Sequence, residues 1–399
     1  MDSASGQTSD SGSSRRVAAL SRGVAGRLLG SLDVLSVSLP VVALLFALLT
    51  GAGLMAASHI SPLTTYRDMA SAAVGSSLSL SVTIERSIPP LLAALAVAIA
   101  LRAGLWNIGG DGQIYCGAMA ATAVVLYMPS APFPITLTIA LLAGGVGGAL
   151  WAFIPGILRA KRGVSEVITS LMLVYIAEQI MAYLLTGPWA VPGATSPATA
   201  RFPSRDLLPI IWPGTLLNAG VIIAVASIIA AWILLSRSTL GLRLKARGGS
   251  VRASHVMGLS VSGLTVGAMM ISGALAGLAG AVDTLGYEGR LLQGFSPNWG
   301  FEAIAIALIG RLKPAGIALT AVFFGAMDAG SAGLLTSGDG VSQYIAQIIE
   351  GIAVVYLLVA IGVMEILAKR RQRKGALGAA DRDSITVTDR GAERLVIES

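Results

Sequence analysis

Ile88-Pro-Pro-Leu-Leu-Ala-Ala-Leu-Ala-Val-Ala-Ile-Ala-Leu101 carries no charge, and two residues later the chain reads Gly104-Leu-Trp-Asn-Ile-Gly-Gly-Asp-Gly-Gln113. An apolar run of this kind belongs in lipid or in the centre of a bundle. The polar, glycine-rich stretch behind it is tolerated at membrane depth only where it is buried in protein or lines a cavity. Composition decides the solvent. The 399 residues are 54% hydrophobic and 12% charged, with a mean hydropathy of +0.77, which calls for lipid rather than water. Aromatics make up 6% while glycine reaches 48 residues, so close packing has to come from small side chains that let helix backbones approach.

A helical span needs roughly 20 apolar residues at about 1.5 Å rise each. Runs of that length occur at 34–57, 104–128, 132–156, 164–186, 217–235, 262–284, 314–335 and 343–367. Two shorter runs, 88–101 and 300–310, are too brief to cross comfortably and read as tilted, broken or re-entrant elements. The expectation is an all-α integral membrane protein, a polytopic bundle of about ten, or eight to ten, transmembrane or re-entrant helices. A cleaved signal peptide is the other reading of the first run, but its extent from Val34 to Ala57 exceeds an ordinary signal core. Residues 1–33 are polar and basic and read as a flexible cytoplasmic tail, 34–367 as the membrane domain, and 368–399 as a basic, then polar, cytoplasmic tail. Lys369, Arg370, Arg371, Arg373 and Lys374 suit anionic lipid headgroups.

With the N-terminus inside, all but five of the 28 Lys and Arg residues fall on the cytoplasmic side. The five are Arg67, Arg86, Arg201, Arg205 and Arg290, in expected outer loops of about 58–87, 187–216 and 285–299. The net charge of +7 is therefore topology rather than a nucleic-acid face.

Several chemistries are absent. Two histidines, His59 and His255, and one cysteine, Cys116, leave no HExxH, no metal-ligand set, no Ser/His/Asp arrangement and no redox pair. No lysine follows a glycine, so there is no phosphate loop for ATP. No catalytic residue, metal or cofactor is expected.

The polar residues inside apolar segments are the informative ones, because a carboxylate at the bilayer centre costs about 2.5–3.5 kcal/mol on insertion scales. Asn107, Asp111 and Gln113 lie among glycines that permit an unwound backbone facing a solute, or else a solvated cytoplasmic turn. Glu178, with Tyr175 and Gln179, places polar groups deep in a helix, to serve either a pathway or an interhelical bond. Glu166 opens that helix, where a carboxylate suits the positive end of the dipole. Asp283 and Asp328 stand in similar positions. Asn298 and Glu302 precede the short run 300–310, a half-helix with a polar mouth. Glycines four apart, Gly144 with Gly148 and Gly273 with Gly277, mark close-packing faces.

The loop 236–261 is long, basic and amphipathic. Leu242, Arg243, Lys245, Arg247, Arg252, Ala253, His255 and Gly258 suit a short helix under the membrane that docks into a protein groove, with lipid contact as the alternative.

Asn107-Ile-Gly-Gly-Asp-Gly-Gln113, Gly163-Val-Ser-Glu-Val-Ile168, Thr239-Leu-Gly241 through Gly258, and Gly300-Phe-Glu-Ala-Ile-Ala305 to Pro314 together resemble permease subunits of ATP-binding cassette importers. The likeness lies in the branch for branched-chain amino acids, monosaccharides and nucleosides, spans about 88–367, and is nearest to the nucleoside and simple-sugar permeases. It implies a multi-pass protein of a prokaryotic cytoplasmic (inner) membrane with both termini cytoplasmic. It implies separate ATPase subunits docked on 236–261, a second, similar or identical permease subunit, and an extracytoplasmic solute-binding protein. The solute pathway would be lined by Asn107, Asp111, Gln113, Tyr175, Glu178, Asn298 and Glu302. The chain departs from the pattern at Asp111, where Glu is more frequent, at Ser165, where Asn is common, and at Val174, where a polar residue is usual. An ion-coupled carrier acting alone, with Asp111, Glu178, Glu302 and Asp328 as ion sites, is the rival reading. A structural anchor would have no use for these acids.

Overall fold

The computed structural model describes residues 45–334 except 129–132, 194–195 and 297, together with Val42 and scattered positions from 348 to 366. The expected span 343–367 and both tails therefore lie largely or wholly outside the described residues. The helices are α1 (Leu45–Ala57), α2 (Pro62–Val74), α3 (Ser77–Arg102), α4 (Gly110–Tyr127), α5 (Phe133–Arg162), α6 (Glu166–Thr186), α7 (Gly220–Ser236), α8 (Thr239–Gly249), α9 (Val251–Val256), α10 (Val261–Asp283), α11 (Trp299–Ile309) and α12 (Pro314–Leu334). Among the described residues five helices are long and apolar enough to cross a membrane: α3, α5, α6, α10 with its extension, and α12. The pair α7 and α8 adds a sixth candidate, bent by 64° at the break. No strand occurs among the described residues, only two isolated bridges.

The contacts separate two compact units, divided after Gly51 and before Gly351. In the smaller, the Thr50 hydroxyl lies 3.3 Å from that of Tyr356, and the rings of Phe46 and Tyr356 are 6.3 Å apart. All further features belong to the larger.

The short run 88–101 is not a separate half-element. It is the inner part of α3, a helix of 26 residues and about 39 Å. Ser76 caps it by accepting from the Ser79 amide at 3.0 Å. Its first turn, placed by the sequence in an outer loop, leaves Ser77, Leu78 and Leu80 exposed, but from Ser81 on its polar groups are buried or half-buried because they meet protein. Glu85 accepts from the backbone and side-chain nitrogens of Asn218 at 2.6 and 2.8 Å, which holds the start of α7, and Arg86 pairs with Asp328 of α12 at 2.7 Å. α3 is the central helix, packed by α10, α11, α12 and α7, with Ala93, Ala94, Ala96, Ala98 and Ala100 buried. The remainder of the expected outer loop 58–87 is α2, which packs on α12. The other short run does stay short: α11 has 11 residues.

The glycine pairs meet each other. A Cβ on Gly277 would lie 2.8 Å from the Gly148 Cα, and α5 and α10 touch backbone to backbone there. The expected outer loops 187–216 and 285–299 are joined to one another. The amides of Thr199, Phe202 and Gln293 donate to the carbonyls of Leu291, Gly289 and Pro197 at 3.0, 2.9 and 3.0 Å.

Candidate functional site

The span expected from residue 104 becomes helical only at Gly110. Residues 105–109 are non-helical, yet Leu105, Asn107 and Gly109 are buried, so the backbone and side chains there have to find partners in protein. Asn107 and Gln113 supply them reciprocally: Asn107 Nδ2 donates to Gln113 Oε1 at 2.9 Å, and Gln113 Nε2 donates to Asn107 Oδ1 at 2.8 Å. Asn107 also donates to Ser272 Oγ at 2.9 Å and accepts from the Gly109 amide at 3.2 Å, while Ser272 donates to the Ala96 carbonyl at 2.8 Å. This knot ties the unwound segment to α4, α10 and α3.

Asp111 stands in the first turn of α4 and accepts from the Gly300 amide at 2.8 Å and from Ser296 Oγ at 3.2 Å. Gly300 is in the first turn of α11, so one carboxylate sits where two helix N-termini converge. Their partial positive charges and free amides stabilise it at 2% exposure without a cationic side chain. The approach demands glycine on both sides: a Cβ on Gly110 would lie 2.9 Å from the Gly300 Cα. Asn298, in the left-handed conformation at φ 63°, precedes α11, and its carbonyl accepts from the Phe301 and Glu302 amides at 3.0 Å. Glu302 is half-buried in the first turn of α11.

The structure thus brings Asn107, Asp111 and Gln113 together, with Asn298 and Glu302 on the adjoining half-helix. Tyr175 stands apart. It is 57% exposed on α6, in a shallow groove with Ile176, Gln179, Ile180 and Tyr183, and Glu178 is half-buried on the same helix.

Between α7 and α10, 236–261 folds as two helices rather than one. Ser238 and Ser250 cap α8 and α9 by accepting from the Gly241 and Ala253 amides at 2.9 and 3.2 Å. Leu242, Arg243, Lys245, Arg252, Ala253, His255 and Gly258 are exposed, and the apolar Leu242, Val251, Val256 and Met257 stand bare among the basic groups. Arg247 points the other way. It is buried, donating from Nη1 to the Ala103 carbonyl and from Nε to Thr265 Oγ1 at 3.1 Å. Beside it Gly104, at φ 69°, approaches Gly248 so closely that a Cβ would lie 3.0 Å from the Gly248 Cα. The basic loop before α6 holds the same segment from another direction. Glu166 pairs with Arg159 at 3.2 Å and accepts from the Trp106 amide at 3.5 Å. The unwound segment is therefore gripped from two directions, by α8 and by the start of α6.

Sequence reasoning missed a second polar constellation, at the C-terminal end of α10. There α10 passes into a π turn over Thr284–Glu288, a form that recurs at functional sites. Arg86, Asp283, Tyr287, Glu288, Gln293 and Asp328 line a cavity of about 210 Å³, closed on one side by Phe295 and Trp299. Arg86 donates to Asp328 at 2.7 Å and to the Tyr287 hydroxyl at 3.3 Å, with its guanidinium 5.3 Å from the Tyr287 ring centre. The available signal was the occurrence of Asp283 and Asp328 in apolar helices, together with the Arg86 that balances them. Placing Arg86 in a loop hid the group.

Comparison with known proteins agrees with this architecture. Residues 79–364 match the family model described as branched-chain amino acid transport system / permease component. The glucose ABC transporter permease protein TsgB13 of Haloferax volcanii is 33% identical over 80% of this chain and 86% of its own. The nucleoside ABC transporter permease protein NupB of Lactococcus lactis is 32% identical over 85% and 95%, and the guanosine ABC transporter permease protein NupP of Bacillus subtilis is 33% identical over 84% and 97%. No solved structure matches. The chain belongs to the permease-component family of branched-chain amino acid transport systems.

Proposed function

We infer that this chain is the permease subunit of an ATP-binding cassette importer and moves a nucleoside across a prokaryotic cytoplasmic membrane, with a monosaccharide as the second reading. Relatives named for nucleosides and for glucose support the solute class. The second reading rests on the glucose permease being as similar as the guanosine one. Both termini are cytoplasmic in this proposal, by the distribution of Lys and Arg.

The observation that carries the coupling to a separate ATPase is the two-faced α8–α9 elbow. Its outer face presents apolar and basic side chains to a partner groove, and its inner face carries Arg247 into the backbone of the unwound segment. Movement of a docked ATPase on ATP binding would pass through Arg247 and the Gly104–Gly248 contact to residues 103–109, and from there through Asp111 to α11. A carrier acting alone would have no use for such a surface. The second permease subunit, the solute-binding protein and lipid contact at the basic tail complete the assembly. The pathway residues are those of the unwound segment and half-helix, Asn107, Asp111, Gln113, Asn298 and Glu302, with half-buried Glu178 on α6 and, on the exposed face of that helix, Tyr175 turned to the second subunit.

The test is uptake of nucleosides, pentoses, hexoses and branched-chain amino acids into proteoliposomes holding the chain with its ATPase, partner permease and binding protein. ATP-dependent uptake of a nucleoside that requires the partners is expected, and partner-free uptake on an ion gradient would sink the proposal. Arg247→Ala is expected to cut uptake about tenfold or more while ATP hydrolysis continues, since its loss leaves the Ala103 carbonyl without its charged donor at the joint. Arg247→Lys, which keeps a charge but not the two-directional donor fork, should recover only part of the loss.

A further inference from the structure

The cavity at the outer end of α10 has a chemistry that the ion pair within it does not use up. Asp283 is 5% exposed and lines the cavity, yet its Oδ2 has no hydrogen-bond partner among the described residues, and neither has the buried Nε of Arg86. A carboxylate oxygen buried inside a membrane protein without a donor is costly, and such groups mark solute or ion routes. Around it stand Glu288 as a further acceptor, the Tyr287 hydroxyl as donor or acceptor, and the amide of Gln293, which is exposed at the rim beside Gly294. Phe295 and Trp299, both 7% exposed, pack edge to face at 6.0 Å, and Phe295 meets Tyr115 in the same way at 5.8 Å. Tyr115 in turn donates to the Ser296 carbonyl at 3.3 Å, and Ser296 is a ligand of Asp111. The cavity is therefore in mechanical contact with the joint between α4 and α11.

Acceptors and donors interleaved around an aromatic wall match a polyhydroxylated ring: hydroxyls pair with carboxylates and amides, and the C–H face of the ring lies on an aromatic surface. At about 210 Å³ the space is below the roughly 300–1,000 Å³ of sites that enclose a whole drug-sized ligand. It suits a single sugar ring and leaves a nucleobase outside. We propose that this cavity is the permease's entry subsite for the sugar ring of the solute, with Asp283 Oδ2 accepting a ring hydroxyl. The inference rests on the nucleoside or monosaccharide reading above and locates the recognition within it. It assigns roles to Asp283, Glu288 and Gln293 that the pathway residues do not have.

The experiment uses the complete reconstituted transporter, with one binding protein throughout, so that any change in selectivity belongs to the permease. Uptake of uridine, 2′,3′-dideoxyuridine and free D-ribose is measured for the wild type, Asp283→Asn and Gln293→Ala. Asp283→Asn is expected to lower uridine uptake about tenfold, the effect of losing a hydrogen bond to a charged group, and to flatten the preference for uridine over the dideoxy analogue. Gln293→Ala, at the solvent-facing rim, should shift that preference in the same sense by about threefold, as a neutral hydrogen bond does, and it decides the matter if Asp283→Asn does not assemble. Free ribose uptake that falls in step with uridine assigns the ring itself, whereas ribose uptake indifferent to both variants would overturn a ring-reading subsite. An unchanged uridine-to-dideoxyuridine ratio in assembled variants, with the wild type active, overturns this inference alone. Absence of uptake of any nucleoside or sugar by the wild-type complex overturns the function proposed above and this inference with it.

Discussion

The knot at 107–113 and the cavity where α10 passes into its π turn are both polar groups inside an apolar bundle, and they differ in how far their members are paired. In the knot, Asn107 and Gln113 bond each other in both directions and Ser272 passes the network to α3, while Asp111 takes two donors on Oδ1 and none among the described residues on its buried Oδ2. In the cavity, Arg86 and Asp328 pair with each other, while Asp283 Oδ2 and Arg86 Nε have no partner among the described residues. A buried network whose members are paired makes its surroundings rigid and specific, whereas a buried group left open holds free energy that a ligand can recover. The Asn107–Gln113 pair is therefore built as a joint, and the open oxygens of Asp111 and Asp283 as places where a solute can bind. Both sit on broken helices, the joint on the unwound 105–109 and the cavity on the π turn 284–288, because only interrupted helices present backbone and side chains together inside a membrane.

Substitutions can break this contrast. The largest effect is expected from Gly300→Leu. A side chain at Gly300 would press on the backbone amide and carboxylate of Asp111, and the closest approach of two helix ends leaves nothing to yield. No monodisperse permease should be recovered by size-exclusion chromatography, and a well-behaved, active Gly300→Leu protein would show that the joint is looser than described. Next comes Asn107→Ala, which strands the Gln113 side-chain amide and the Gly109 backbone amide. At about 1–3 kcal/mol for each buried group left unpaired, the thermal midpoint of the purified complex should fall clearly. The ratio of uridine to dideoxyuridine uptake should nevertheless stay as in the wild type. A changed ratio without lost stability would make the knot a solute contact and erase its difference from the cavity. The smallest effect is expected from Tyr175→Phe. The hydroxyl lies on an exposed helix face, so uptake should change by less than about twofold, within the usual range of an exposed substitution. A larger loss would mean that the second permease subunit brings a partner to that face.

Much of this was legible in the residues. Hydropathy and the Lys/Arg bias indicate a helical membrane protein, and the four glycines around Asn107, Asp111 and Gln113 announce a break in the helix. The pairs Gly144 with Gly148 and Gly273 with Gly277 were legible as close-packing faces because small residues four apart have few other uses in a membrane helix, though not that Gly148 would meet Gly277. The exposed, basic and amphipathic character of 236–261 was legible as well, though not the inward turn of Arg247. Amphipathicity describes the outer surface of a helix, while Arg247 answers to the Ala103 carbonyl more than a hundred residues away in sequence.

What was not legible has one cause. Hydropathy registers contact with lipid, and most of α3 is surrounded by protein instead. Ser81–Ser87 looks like a loop because it is polar, yet it lies inside because Asn218, Asp328 and Tyr287 receive its Glu85 and Arg86. The amino-acid sequence by itself determined the solvent, the helical class and the glycine-rich break before α4, since these follow from transfer free energies and local sterics. Only the tertiary structure decided which polar groups are paired and which remain open, because that depends on residues brought together from α3, α10 and α12, and no local pattern in the chain encodes their meeting.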